Sequence, residues 1–254
     1  GTLPPLNPDN GIYAPISLLY RRDGQVRRYP HFAVDRAKPG SIIVGLDGRR
    51  FENESAPYQE FVKKMHDLSI KKAIFIGDAN FVRRYGMGMA LPGPLPIWHL
   101  VKQGYLIKAN TLDQLAKKIE VPAETLKSTI SACNENARKG VDPEFRRGET
   151  AYDRIYGDAS RGLKNPNLGP CEKAPFYALP LYPGNVSTVY GASTNQHAQV
   201  LDADRRPVEG LYAVGLDQNS VMKGTYPGGG SSIGPGMTFG FRAAMHAAGK
   251  PSRP

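Results

Sequence analysis

Apolar residues fall in short dense blocks along this chain, each closed by glycine, proline or an Asp-Gly pair. Ser41-Ile-Ile-Val-Gly-Leu46 is a continuous, β-branched run ahead of the turn Asp47-Gly48, and predicts a buried strand. Ala73-Ile-Phe-Ile-Gly77 predicts a second. Between them, Tyr58, Phe61, Val62 and Met65 recur at i, i+3, i+4 and i+7, the spacing of one helix face, with Ser55 placed to cap it. Residues 85–98 are broken by Gly86, Gly88, Pro92, Gly93, Pro94 and Pro96 and predict a loop.

Two helices then carry clear punctuation. Thr111 and Gln114 form a capping box ahead of the stripe Leu112, Leu115 and Ile119. Pro122 suits the first position of the next helix, where its missing N–H costs nothing. Leu126, Ile130, Cys133 and Ala137 face inward there, and Gly140 closes it. Cys133 reads as a small core residue. After a polar stretch, residues 175–180 open a β-rich section, with strands predicted at 187–190, 198–201 and 211–214 and a turn at 202–207. A last helix runs from Pro235 to about Ala248. It is apolar around most of its circumference and is expected to be buried. Residues 1–18 are proline-rich and aperiodic.

The 254 residues allow one large domain or two ordinary ones, and 40% hydrophobic content is enough for a core. No apolar run reaches the length of a membrane span, and no leader pattern opens the chain. The net charge of +10 comes from scattered doublets such as Arg21-Arg22, Arg49-Arg50 and Arg146-Arg147. No one element concentrates them, so a solvated surface or attraction to an anionic partner is expected rather than a nucleic-acid groove. Cys133 and Cys171 are far apart and the five histidines form no ligand spacing, so neither a disulfide scaffold nor a metal site is expected. A reducing, cytoplasmic location is the default for such cysteine usage.

The chemistry concentrates near the end. Gly210-Leu-Tyr-Ala-Val-Gly215 reads as a short strand. Tyr226-Pro-Gly-Gly-Gly230-Ser-Ser-Ile-Gly234-Pro is a glycine-rich loop leading into the last helix. That order aims backbone N–H groups and the positive end of a helix at something anionic or electron-rich. Its usual companion, an N-terminal strand followed by G-x-G-x-x-G, is absent from these residues. The expectation is the rear portion of a cofactor enzyme.

Six pieces occur in order: residues 39–44, 48–58, 165–170, 174–178, 210–215 and 226–240. Together they resemble the FAD-dependent 3-ketosteroid dehydrogenases of the fumarate reductase and succinate dehydrogenase flavoprotein superfamily, over residues from about 30 to the end. The resemblance implies an α+β fold in which a mixed catalytic domain is inserted into a Rossmann-like FAD domain. Residues 1–18 are then the tail of the preceding FAD segment and 19–188 the inserted domain. Residues 189–254 are the closing strand, loop and helix. FAD is the implied cofactor, gripped mainly by a preceding segment, so this chain alone is not expected to retain it. The implied partners are a ketone or steroid-like small molecule, that segment and an unidentified electron acceptor.

The implied reaction is 1-dehydrogenation of a 3-ketosteroid. The family's carbonyl polariser is a tyrosine hydroxyl with a backbone N–H four residues later, which match Tyr226 and Gly230. Its base is the tyrosine of an Asn-Glu-…-Pro-Tyr motif, which matches Tyr58. From the residues alone, Tyr58 reads rather as a packed aromatic on its helix's apolar face and Tyr226 as a turn residue beside Pro-Gly; the motif carries the catalytic reading. Ser231, Ser232, Ile233 and Gly234 are implied at the pyrimidine end of the flavin, and Gly215, Leu216 and Asp217 at its ribose. Leu216 departs from the family's polar residue there, and Tyr190 stands where relatives have paired glycines, so a substrate other than a flat steroid remains open. The dicarboxylate branch is disfavoured, because no arginine lies between 207 and 241. The alternatives are a flavoenzyme for a non-steroid enone or unsaturated acid, or a non-catalytic basic module.

Overall fold

The computed structural model describes residue 3 and residues 11–250, in two compact units. One is Ala14–Gly184; the other comprises the described residues before and after it. The chain enters through β1 (Gly11–Tyr20), which turns at Gly24 into β2 (Val26–Pro30) with Ile16 opposite Pro30 and Tyr20 opposite Val26. The first eight residues of β1 fall within the 1–18 stretch expected to be an aperiodic tail, of which 1, 2 and 4–10 lie outside the described residues. The tertiary reason lies in its pattern: Ala14, Ser17 and Leu19 are buried within the sheet, while polar and proline positions obscure the alternation in sequence.

The short helix α1 (Ala33–Arg36) leads to β3 (Ser41–Val44), α2 (Tyr58–Asp67) and β4 (Ala73–Gly77). Next come α3 (Ala79–Tyr85), α4 (Trp98–Lys102) and β5 (Ile107–Ala109). The helical hairpin α5 (Leu112–Ile119) and α6 (Ala123–Lys139), then α7 (Ala151–Tyr156), precede the long strand β6 (Phe176–Thr188). The sheet order is β2-β1-β6-β4-β3, with β5 also on β6. β3 pairs antiparallel with β4, and β4 and β5 pair antiparallel with β6.

Both faces of the central strands are covered, which is why they read as unbroken apolar runs. Ile42, Val44, Ile74, Ile76 and Ala178 face Leu115, Ile119, Leu126 and Ile130 of the α5–α6 hairpin, with Cys133 packed at the margin. On the other face Phe75 meets the rings of His31 at 5.8 Å and Phe81 at 5.7 Å. Burial pushes the Cys133 thiol up to about 12 and Cys171 well above its ordinary value, so both behave as packing residues.

Local signals shifted by a residue or two. Ser55 does not cap α2: Pro57 holds that position, and the Ser55 hydroxyl bonds Arg147 and Asn167 instead. Pro122 is the cap residue of α6 rather than its first turn, and Gly140 ends it at φ 81°. Thr111 accepts from the Gln114 N–H as a capping box requires, but Gln114 returns its bond to Asn110 N rather than to Thr111. Residues 86–97 form the expected glycine–proline loop, bounded more tightly than expected by α3 and α4.

In the other unit β7 (Gln199–Leu201) pairs antiparallel with β8 (Pro207–Tyr212), and a single 3-10 turn, Gly215–Asp217, follows. The strand expected at 187–190 is the end of β6, and that at 211–214 ends early at Tyr212. The last helix, α8 (Ile233–Ala247), begins two residues before Pro235, which sits in the first turn where no N–H is required. It is not buried as expected: Ile233, Met237 and Phe241 are 67%, 70% and 59% exposed, and only Ala243 is sealed. Within its own unit the helix packs on the 215–217 turn, and its His246 meets the Tyr212 hydroxyl of β8 at 2.8 Å, too little structure to cover more than one side. No helix among the described residues is long and apolar enough to cross a membrane.

Candidate functional site

In the first unit the segment 48–58 is organised around buried charge. The Glu54 carboxylate accepts Arg50 Nε at 2.8 Å and Nη2 at 2.7 Å, Arg147 Nη1 at 3.2 Å, and the Ile43 N–H at 3.2 Å. Arg50 turns its remaining edge to Asp142, at 2.9 and 2.8 Å. Arg147 donates to the carbonyls of Ser41 and Arg36 at 2.8 and 3.0 Å. Burial alone would raise Glu54 and Asp142, but the arginines overcome it: Arg50 and Arg147 hold Glu54, and Arg50 holds Asp142, below the ordinary carboxylate range. Asn53 accepts the Ser55 N–H at 2.8 Å and donates to Asp153 at 3.0 Å, completing a fixed turn.

That turn delivers Tyr58 as the first residue of α2. Phe61, Val62 and Met65 of the same helix are fully sealed, whereas Tyr58 is half-buried with its ring edge-on to Phe32, centroids 4.8 Å apart. Tyr58 therefore stands off the packed stripe on which the i, i+3, i+4 pattern placed it.

Sequence reasoning missed the deepest charges. Arg49 and Arg146 are exposed as expected of solvated doublets, but their neighbours Arg50 and Arg147 are buried, as is Arg36. The signal available was Glu54 at i+4 from Arg50. Nothing local marked Arg147, whose partners lie 92 to 111 residues away.

In the second unit the glycine loop surrounds an open cavity of about 480 Å³. Gly228, Gly229, Gly230, Ser231 and Gly234 line it with Pro227, Pro235, Thr238 and Phe239. Gly228 and Gly230 have φ of 149° and 94°, which side chains with a Cβ rarely adopt, and a Cβ at any of these four glycines would meet nothing within 4 Å. The loop thus presents bare main chain to open space at a helix start. Ser232 and Ile233 are exposed beside it, and Tyr226 is half-buried at the head of the loop. The Gly215–Asp217 turn packs on α8, with Gly236 close to Gly215, and Leu216 and Asp217 are exposed. Gly191 lies directly against the Asp217 backbone, and its neighbour Tyr190 is half-buried. A glycine-rich main-chain cradle at a helix N-terminus suits a planar, electron-rich ring system.

With that geometry in place the comparisons are specific. The FAD binding domain family matches residues 4–233, and the chain belongs to that family of flavoproteins, with FAD as its cofactor. It is similar to the 4-oxocyclohex-2-ene-1-carboxylate 5-dehydrogenase of Sinomonas cyclohexanicum, 39% identical over 94% of this chain and 41% of that enzyme. The 3-oxosteroid 1-dehydrogenase of Mycolicibacterium smegmatis is 42% identical over 86% of this chain and 40% of its own length. The chain thus spans about two fifths of the curated relatives it matches. Among solved structures, the 3-ketosteroid delta1-dehydrogenase of Sterolibacterium denitrificans, in complex with 1,4-androstadiene-3,17-dione, superposes with a TM-score of 0.85 at 38% identity. That match covers 94% of this chain and 43% of the enzyme. A flavocytochrome c3 fumarate reductase shares the fold at a TM-score of 0.58 and 23% identity.

Proposed function

We propose that this chain supplies the substrate-activating residues of an FAD-dependent dehydrogenase that desaturates a cyclic ketone between its α and β carbons. In this reading residues 19–188 are a catalytic domain inserted into the FAD domain, 189–254 close that domain, and 1–18 end its preceding segment. The glycine-rich cradle at 228–234 fits an isoalloxazine. Ser231, Ser232, Ile233 and Gly234 would hold its pyrimidine edge, with Gly215, Leu216 and Asp217 toward the ribose. When bound, FAD supplies the two-electron acceptor for the β-hydrogen.

This chain's own groups then activate the ketone. The Tyr226 hydroxyl and the Gly230 N–H donate to the carbonyl oxygen, where negative charge develops as the α C–H bond breaks. A donor aimed at such an oxyanion is worth roughly 3–4 kcal/mol of barrier. The α-proton passes to the Tyr58 oxygen and its electron pair becomes the enolate π-bond, which collapses to the enone as the β-hydrogen leaves. Because a free phenol titrates near pH 10, this step needs Tyr58 fixed and electrostatically assisted. The supporting observation is that buried charge fixes the turn ahead of Tyr58 while the ring itself stays off its helix's packed stripe.

The relatives divide the substrate question between two ring ketones. Some are 3-oxosteroid 1-dehydrogenases, while 4-oxocyclohex-2-ene-1-carboxylate 5-dehydrogenase aligns with 94% of this chain. The test joins the chain to the preceding FAD segment that this reading calls for, records a flavin spectrum, and assays both ketone classes with an artificial acceptor. A yellow protein that turns over one class is expected. A colourless, folded protein, or a yellow one inert toward both, overturns the proposal.

A further inference from the structure

The fully buried Arg36 is the one member of the charged lattice whose guanidinium bonds go to main-chain carbonyls alone. Its Nε donates to His31 O at 2.8 Å, Nη1 to Glu54 O at 2.7 Å and Nη2 to Ala56 O at 3.1 Å, while its plane lies over the Phe61 ring at 4.7 Å. His31 immediately precedes Phe32, and Ala56 precedes Pro57 and Tyr58. One planar fork therefore ties together the two loops whose rings meet at Phe32 and Tyr58.

The His31 end of that tie is itself immobilised. The His31 imidazole bonds Asp35 at 2.6 Å and Ser17 at 2.7 Å. Ser17 bonds the Tyr105 hydroxyl at 2.6 Å, which accepts the Met89 N–H at 3.0 Å. Every hydrogen in this chain has a place if Tyr105 donates to Ser17, Ser17 to Nε2, and Nδ1–H to Asp35. With Ser17 and His31 fully buried and Tyr105 nearly so, these groups meet no substrate; they form a rigid mount.

We propose that Arg36 is a positioning residue for Tyr58: its fork, anchored on the Ser17–His31–Asp35 mount, fixes the phenol against Phe32 in the orientation proton abstraction requires. The inference rests on the assignment of Tyr58 as base. Lysine is the informative replacement, because it keeps the charge and stem length but cannot bridge three carbonyls in one plane.

The experiment uses the flavin-loaded, joined protein and its ring-ketone substrate. Arg36→Lys is expected to lower kcat by about 10- to 100-fold with KM and flavin content little changed, the scale of sub-ångström to ångström misplacement. In a Tyr58→Phe background it is expected to cost almost nothing further, since the two act as one unit. Asn134→Ala, which removes the buried bonds to Cys171, is expected to lower Tm and leave kcat alone. Wild-type kcat in folded Arg36→Lys, or an equal loss in the Tyr58→Phe background, overturns the proposal. Should Arg36→Lys not fold, Phe32→Leu decides: a several-fold fall in kcat absent from the Tyr58→Phe background supports it, and unchanged kcat overturns it. Full activity in Tyr58→Phe alone brings down the base assignment and this inference with it. An inactive Tyr58→Phe beside a normal Arg36→Lys brings down the positioning role only.

Discussion

Arg50 and Glu54, one helical turn apart in sequence number, meet through two hydrogen bonds of 2.8 and 2.7 Å with both side chains almost wholly withdrawn from solvent. The pair is not in a helix; it closes the turn between β3 and α2, and Arg147 and Asp142 complete it from the far side of the chain.

Glu54→Gln keeps the shape but leaves two buried guanidinium groups short of a counter-charge. We expect a loss of about 3–5 kcal/mol in global stability, the cost of breaking a buried pair from one side. Arg50→Ala should cost as much, while Arg49→Ala, at the exposed neighbour, should stay within about 0.5 kcal/mol. Urea titrations of the three variants check the contrast.

Acid should loosen the same lattice. Glu54 and Asp142 are held below their ordinary values of 4.5 and 3.8, so each is more acidic folded than unfolded. Their stabilising contribution is complete above those ordinary values and is lost as pH falls through the depressed folded ones. Thermal melts should therefore be flat in this contribution from neutral pH to about 5 and decline steeply below about 4, in line with the unfolded carboxylate range. In Glu54→Gln the decline should be shallower.

The glycine loop separates conformational need from space. Gly230 has φ 94°, whereas Gly229 shows no positive φ, and a Cβ at either meets open space. Gly229→Ala should leave the loop's conformation and stability unchanged, so that any fall in flavin content reports a methyl set in the cradle. Gly230→Ala should strain the loop by about 1–3 kcal/mol and reduce turnover, because the backbone must rotate away from the conformation that aims its N–H. Flavin absorbance and steady-state kinetics of the joined protein read both.

The two tyrosines should fail differently. Tyr58→Phe is expected to lower kcat by about 10²- to 10⁴-fold as a lost proton acceptor. Tyr226→Phe should lower it by about 10²- to 10³-fold as a lost oxyanion donor. Flavin content should be unchanged in both. Exchange of the substrate's α-hydrogen with solvent, measured by NMR, should be abolished most completely in Tyr58→Phe.

Much of this was legible in the chain. The blocks at 41–44 and 73–77 became β3 and β4 because strands covered on both faces must be apolar at every position. Thr111, Gln114 and Gly140 marked helix ends because caps satisfy backbone groups locally, within a few residues. The glycine loop was visible because φ of 149° and 94°, at Gly228 and Gly230, is open to glycine and rarely to other residues. Hidden were β1, whose burial comes from the sheet, and the exposure of Ile233, Met237 and Phe241, which apolar composition alone does not reveal.

The sequence by itself determined β3, β4, the α5–α6 hairpin and the ordered motifs that carry the flavoprotein resemblance, since each depends on spacing within a short window. Only the tertiary structure decided which arginine of a doublet is buried and what Tyr58 rests against. A cation is stable inside when carboxylates and carbonyls converge on it, and those partners come from distant stretches: Asp142 to Arg50 across 92 positions, Glu54 and Ala56 to Arg36 across 18 and 20. Hydrophobic periodicity records a side chain's face, not its partners, so the lattice beneath Tyr58 exists only once the chain has folded.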